Sequence, residues 1–187
     1  KAIRPQRQMC IRDRMNTSLT PNALAFIGLC NEYCAAVENA RETTRDEFVA
    51  SMLRLLPRLY ISATDLAASG TAMEECYIES SLDEEYYEAM RRNIENLMGP
   101  DDSYLEVFEE DMKFSDTPIA ASISESLADL FQVCYEFVET IRDAPDYLVQ
   151  NALQAVSDDF GSYWSRILCN VLRALNYVRY NSTEQEY

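Results

Sequence analysis

Residues 115–143, with the sequence SDTPIAASISESLADLFQVCYEFVETIRD, indicate the fold class most clearly. Their apolar side chains recur at intervals of four, three, four, three and four residues: Ile123, Leu127, Leu130, Cys134, Phe137 and Ile141. This spacing is typical of a bundle helix that turns one apolar stripe towards a core. Asp116 or Thr117 as N-cap, with Pro118 at the first helical position, predicts where the helix begins.

The same helix carries a second, acidic stripe: Glu125, Asp129, Gln132, Glu136, Glu139 and Asp143. It is two residues, or roughly 200° at 3.6 residues per turn, away from the apolar stripe, which favours a solvated face. Two alternatives remain open. The stripe can line a groove for a divalent cation, a polyamine or a basic partner. Glu125 and Asp129 can also be buried and paired with Arg166 and Arg173 of the last helix, which would fix helix register.

The remaining helices follow from capping residues and three- and four-residue apolar spacing. They are predicted to start at Thr20, near Thr44, at about Asp83, at Asp101 and after Pro145. Pro57 is expected to kink the second helix, and Gly161 to bend the last one. The sequence therefore predicts an all-α, single-domain bundle of about six helices. The first, second, fifth and last are expected at its centre.

Residues 1–14, KAIRPQRQMCIRDR, differ in composition from the rest of the chain. They hold one acid, Asp13, and five basic residues: Lys1, Arg4, Arg7, Arg12 and Arg14. The run MCIRDR resembles translated sequencing-adapter read-through, so we interpret 1–14 as a non-native leader. The alternative is a flexible basic arm that binds nucleic acid. The helical domain is then predicted over 15–180, with a frayed tail at 181–187.

The charge balance of the chain argues against several classes of partner. With 32 acidic and 16 basic residues, the formal net charge is −16. Such a chain repels phosphate backbones and anionic headgroups, so we expect neither nucleic acid nor membrane as a partner. The longest apolar run, 23–30, is far shorter than the roughly 18–20 residues of a membrane span. Cysteines within helical apolar patterns are typical of reduced thiols, which predicts a cytoplasmic protein.

The inventory of reactive side chains argues against most enzyme classes. The chain has no histidine, which removes the usual general base and the usual metal ligand. It also has no Walker loop and no glycine-rich dinucleotide turn. Cys30 and Cys34 share a helix face, but a closed zinc site needs four ligands, so core packing is the simpler interpretation. We therefore predict no catalytic residue, no metal and no cofactor.

A non-enzymatic role in protein–protein contact is the leading functional hypothesis. Tyrosine suits interfaces because it buries area and tolerates a wet edge. The chain has 12 tyrosines, with clusters at Tyr86-Tyr87, Tyr163-Trp164 and Tyr177/Tyr180. The tyrosine-rich and acidic surfaces are expected to bind a protein partner, with a homodimer as one possibility.

Two other hypotheses belong to different functional classes. A divalent-metal-dependent hydrolase, similar to the helical nucleotide pyrophosphohydrolases, would use Glu-x-x-Glu on one helix and Glu-x-x-Asp on another. Glu85/Glu88 and Glu106/Glu109 satisfy the first half, whereas Glu125 and Asp129 are four residues apart and miss the second. The third hypothesis is a bundle that binds a small ligand between its helices.

Several stretches resemble the bacterial domain of unknown function 5063 family. They are NEYCAAVE at 31–38, LLPRLY at 55–60, the run at 97–132, YW at 163–164 and ILCNVLRAL at 167–175. The resemblance implies a compact helical bundle and supplies no activity, ligand or catalytic residue. The last motif ends with histidine in the family, where this chain has Asn176, which argues against a histidine-dependent role.

Overall fold

Six α-helices make up most of the computed structural model, which describes residues 19–67, 78–106 and 119–181. They are α1 (Pro21–Glu38), α2 (Arg45–Ala67), α3 (Glu84–Met98), α4 (Ile123–Ile141), α5 (Asp146–Asp159) and α6 (Ser165–Asn181). Two three-residue strands, β1 (Ser103–Leu105) and β2 (Ala120–Ser122), pair antiparallel. The predicted all-α bundle of about six helices is confirmed.

Helix α4 lies at the centre of the bundle. Its neighbours are α1, α3, α5 and α6, while α1 and α6 also pack against α2. Five of its six predicted core residues are fully buried, and Ile141 packs against them from the edge. The hydroxyl of Tyr33, on α1, donates across this core to the Leu127 carbonyl at 2.8 Å. The apolar stripe of α4 therefore packs as its spacing predicts.

The start of α4 differs from the prediction. The helix begins at Ile123, because residues 120–122 pair with 103–105 as strands. Ser122 is the N-cap, and its hydroxyl accepts from the Glu125 N–H at 3.2 Å. The expected start at Pro118 is thus wrong for residues 119–122, and 116–118 themselves lie outside the described residues.

The short helix predicted from Asp101 is also wrong where the structure describes it. A single 3₁₀ turn, Gly99–Asp102, leads directly into β1. Asp102 explains this path, because its carboxylate accepts from the backbone N–H and the hydroxyl of Ser124, both at 2.8 Å. Residue 102 is thereby fixed at the N-terminus of α4, and the chain leaves it extended. Residues 107–112 of the predicted helix lie outside the described part.

The two residues expected to distort long helices, Pro57 and Gly161, have different surroundings in the structure. Helix α2 is 23 residues long and continues through Pro57, although proline removes the donor for the Leu53 carbonyl. The last segment is divided into α5 and α6 by a π-helical stretch, Phe160–Trp164, which contains Gly161. π-Helical stretches are rare and widen one turn of a helix.

No helix among the described residues has both the length and the apolarity required to cross a bilayer. The leader predicted at 1–14 and the tail beyond Asn181 lie outside the described residues.

Candidate functional site

The first half of the acidic stripe on α4 lines a cleft of about 280 Å³ between α4, α6 and β2, which we call the acidic cleft. Glu125 and Asp129 enter it from α4, and Arg166 from α6. Its complete lining is Glu106, Ile119, Ala120, Ala121, Glu125, Ser126, Asp129, Arg166, Ile167 and Asn170. Three carboxylates and one guanidinium thus share the cleft.

Glu106 reaches the cleft because it directly follows β1. Its backbone N–H donates to the Ile119 carbonyl at 2.8 Å. Its carboxylate accepts from the Tyr104 hydroxyl at 3.1 Å and from the side-chain amide of Asn170 on α6. Arg173 donates to the Leu105 carbonyl at 2.6 Å. Helix α6 therefore anchors the strand pair that carries Glu106.

Asp129 is half-buried and lines the cleft. Burial raises its pKa; the hydroxyl of Tyr87, which donates to Asp129 Oδ1 at 2.7 Å, lowers it, and the nearby Glu125 raises it. Burial and the same hydrogen bond raise the pKa of Tyr87 well above its ordinary value, so Tyr87 stays a donor. Asp129 is thus held by one neutral hydroxyl and faces a like charge one turn away.

The cationic side of the cleft comes from the region where the π-helical stretch meets α6. Tyr163, 42% exposed, lies in the π-helical stretch, three residues before Arg166. Its pKa is raised by burial and by Asp129, and Arg166 lowers it, so all three lie within one electrostatic neighbourhood. The structure thus brings Arg166 to the cleft of Glu125 and Asp129, while the guanidinium of Arg173 lies at the strand pair.

The second half of the stripe has a different environment. Gln132 donates to Glu136 Oε1 at 3.1 Å, and the same oxygen accepts from the Ser80 hydroxyl at 3.0 Å and the Leu82 N–H at 3.5 Å. The Thr140 hydroxyl accepts from the Glu79 N–H at 3.1 Å. Glu136 and Thr140 therefore hold the segment that precedes α3, and Gln132 supports Glu136. The expected uniformly solvated face is wrong here, since both residues are half-buried.

The arrangement of acids bears on the metal-dependent alternative. Within residues 19–67, 78–106 and 119–181, no three His, Cys, Asp or Glu side chains are placed to hold a metal ion. Glu88 of the first Glu-x-x-Glu pair binds Arg91 at 3.1 Å and Arg92 at 3.5 Å. In the second pair, Glu106 lies in the acidic cleft and Glu109 lies outside the described residues.

Sequence reasoning grouped Glu125, Asp129 and Arg166 and missed Ser126 and Asn170. It named Glu106 only within a candidate metal-binding pair and Tyr87 only within a tyrosine cluster, and it placed neither beside Asp129. Glu106 and Ser126 fall within 97–132, the longest stretch shared with the resembled family, and that was the available signal. Tyr87 and Asn170 carried no comparable signal, because only tertiary packing brings α3 and α6 to this point.

Fold and site define a class of protein: an all-α bundle with an acidic cleft beside its central helix. The chain belongs to the family described as Domain of unknown function (DUF5063), which matches residues 17–181. It is similar to protein BF1032 from Bacteroides fragilis, with 26% identity over 89% of this chain and 97% of that one, and a TM-score of 0.70. No curated protein matches the chain.

Proposed function

We propose that the protein is a non-enzymatic binding protein whose acidic cleft receives an arginine or lysine side chain of a protein partner. The observation that carries the proposal is that, among the described residues lining this cleft, Glu106, Glu125 and Asp129 contribute three carboxylates and Arg166 contributes one guanidinium. The net charge of −16 adds long-range attraction for a basic partner.

The charges within the cleft favour a cationic group over a neutral ligand. Glu125 raises the pKa of Asp129, which means that their negative charges repel each other. A cation between the two carboxylates relieves that repulsion. A guanidinium suits the site because its planar fork donates to two oxygens at once.

The contacts of the cleft also favour binding over catalysis. Glu106 accepts from Tyr104 and Asn170, and Asp129 from Tyr87, so neutral donors hold two of the three carboxylates in place. Burial, chiefly, raises the pKa of Tyr104 to about 12, which keeps its hydroxyl protonated at neutral pH. Fixed acceptors of this kind support recognition of a charge.

Isothermal titration calorimetry with the capped peptide Ala-Arg-Ala-Arg-Ala tests the proposal. We expect saturable binding that weakens as salt is added. The double variant Glu125→Gln/Asp129→Asn should lose it. The matched control Glu84→Gln/Glu85→Gln removes two exposed acids of α3 and should retain it. Equal weakening of peptide binding in both double variants would mean that net charge alone drives the binding, and this would contradict specific binding at the acidic cleft.

Titration with Mg²⁺ and Mn²⁺ distinguishes the hydrolase alternative. We expect no saturable heat from either ion. Heat that disappears in Glu125→Gln/Asp129→Asn and persists in Glu84→Gln/Glu85→Gln would overturn the proposal and favour a metal-dependent activity.

We further propose that the protein acts in the cytoplasm. The described cysteines, Cys30, Cys34, Cys134 and Cys169, are free thiols, and the first three are buried. Free thiols of this kind are typical of a reducing compartment. Fractionation of the native host, followed by immunodetection, tests the assignment.

A further inference from the structure

The π-helical stretch Phe160–Trp164 changes which side of the last segment faces the core. Val156, Phe160, Trp164 and Leu168 are all buried, and each lies four residues after the one before. An α-helix repeats every 3.6 residues, so three successive intervals of four would turn this stripe by about 120° away from the core. The wider turn of the π-helical stretch accommodates the extra residue.

Tyr163 is the residue that this change exposes. In an uninterrupted α-helix the buried stripe would continue at Tyr163, three residues after Phe160, but Trp164 takes that place in the core. Tyr163 is instead 42% exposed and lies three and four residues before Arg166 and Ile167 of the acidic cleft. Residues at this spacing share one side of a helix. The π-helical stretch therefore brings an aromatic ring to the side of α6 that lines the cleft.

The acidic cleft also has an apolar wall next to its carboxylates. Ile119, 37% exposed, lines it beside Glu106, whose backbone N–H donates to the Ile119 carbonyl at 2.8 Å. Ala121 and Ile167 continue this wall. Long cationic side chains place their methylene stem along apolar surface and their charged head among polar groups. The cleft therefore offers both surfaces that such a side chain requires.

We propose that Tyr163 is the specificity-determining residue of the acidic cleft, and that its ring stacks on the bound guanidinium so that arginine is preferred to lysine. This inference rests on the function proposed above and narrows the partner to a protein segment that presents arginine. A guanidinium is planar, weakly hydrated and well suited to stacking on an aromatic face. A lysine ammonium is compact and strongly hydrated, so it gains less from the same ring.

The charges around Tyr163 fit this arrangement. Burial raises the pKa of its hydroxyl, Asp129 raises it next, and Arg166 lowers it. The charge of Asp129 therefore acts on the Tyr163 side chain. A guanidinium placed between them donates to the carboxylate in its own plane and presents its face to the ring.

Calorimetric titration with two capped peptides, Ala-Arg-Ala-Arg-Ala and Ala-Lys-Ala-Lys-Ala, at one ionic strength tests the inference. The wild-type chain should bind the arginine peptide about fivefold more tightly than the lysine peptide. Tyr163→Phe keeps the ring and should keep the preference, whereas Tyr163→Ala should bind both peptides with about the same Kd. The matched control Tyr147→Ala removes a 64% exposed tyrosine of α5 that does not line the cleft, and it should retain the preference. Circular dichroism establishes that each variant is folded.

The outcomes separate this inference from the function on which it rests. A wild-type chain that binds neither peptide would overturn both. Equal affinity of the wild type for the two peptides, or a preference that survives in Tyr163→Ala, would overturn the role of Tyr163 and leave the acidic cleft as a site for either cation. An equal loss of both peptides in a folded Tyr163→Ala would show that Tyr163 supports the cleft without selecting its ligand, and this would also contradict the inference.

Discussion

Asp129 combines a structural hydrogen bond with a negative charge that burial and Glu125 destabilise. It is half-buried, accepts one hydrogen bond from Tyr87 and faces Glu125. Burial and Glu125 disfavour its ionised form, and the Tyr87 hydroxyl only partly compensates.

Tyr87→Phe should therefore raise the pKa of Asp129 further, because it removes the hydroxyl that stabilises the carboxylate. The loss of that hydrogen bond should also lower the free energy of unfolding by about 1 kcal/mol at neutral pH. Carboxyl-detected NMR titration measures the pKa. Tyr86→Phe, whose hydroxyl donates to Glu38 at 2.8 Å, is the control and should leave the pKa of Asp129 unchanged.

The raised pKa of Asp129 also sets the sign of a stability change with pH. The folded state binds the Asp129 proton more tightly than the unfolded chain does. Protonation of Asp129 therefore adds to the free energy of unfolding, and this contribution is fully present below the ordinary pKa of 3.8. It is lost as pH rises through the folded pKa. In Asp129→Asn that loss should be absent, and urea unfolding at a series of pH values measures it. Identical pH profiles for the two proteins would contradict the raised pKa.

Ser157 is a buried residue whose hydroxyl has no hydrogen-bond partner within the described part of the chain. Burying an unpaired hydroxyl costs free energy, so Ser157→Ala should raise the free energy of unfolding by about 1 kcal/mol. Ser62 is the matched control, since it is also buried but donates to Asn22 Oδ1 at 3.2 Å. Ser62→Ala should lower the free energy of unfolding, and chemical denaturation compares the two.

Among the elements, the N-terminus of α4 determines where the acidic cleft forms. Ser122 caps the helix through the Glu125 N–H, and Asp102 accepts from the Ser124 N–H and hydroxyl. A carboxylate also interacts favourably with the positive end of the helix dipole. The strand pair and the helix are thereby joined at one point.

Asp102→Ala should lower the free energy of unfolding by about 2–3 kcal/mol, because it leaves two buried donors of Ser124 without their acceptor. Asp102→Asn keeps one acceptor oxygen and should lose less. Thermal and urea denaturation measure both. A loss in Asp102→Ala no larger than in Asp102→Asn would show that the carboxylate is not the acceptor on which α4 depends.

Helix α4 was predictable from sequence because six of its apolar residues repeat at helical spacing, and five of the six are buried in the structure. The strand pair was not, because Ser-Tyr-Leu and Ala-Ala-Ser carry no alternating pattern and owe their extended form to Asp102 and α6. For the same reason, only part of the lining of the acidic cleft was predictable from sequence. Glu125 and Asp129 follow from the period of α4, while Glu106 enters only through the strand pair.

At the scale of the whole molecule, the acidic cleft and the groove between α1 and α2 lie on different elements. The acidic cleft lies between α4, α6 and β2, whereas the groove between α1 and α2 is lined by Ala25, Gly28 and Ile61 together with the charged Glu32, Arg58 and Asp65. The proposed basic partner would therefore bind on the α4 and α6 side of the bundle, away from the groove between α1 and α2.

The central claim is that the acidic cleft receives a cationic side chain, and the pKa of Asp129 measured with and without the peptide Ala-Arg-Ala-Arg-Ala tests it most directly. A guanidinium beside Asp129 stabilises the carboxylate, so the pKa should fall from its raised value when the peptide is at saturation. The same peptide with citrulline in place of arginine should leave it unchanged. A peptide that binds while the pKa of Asp129 stays at its free value would place the binding elsewhere and contradict the claim.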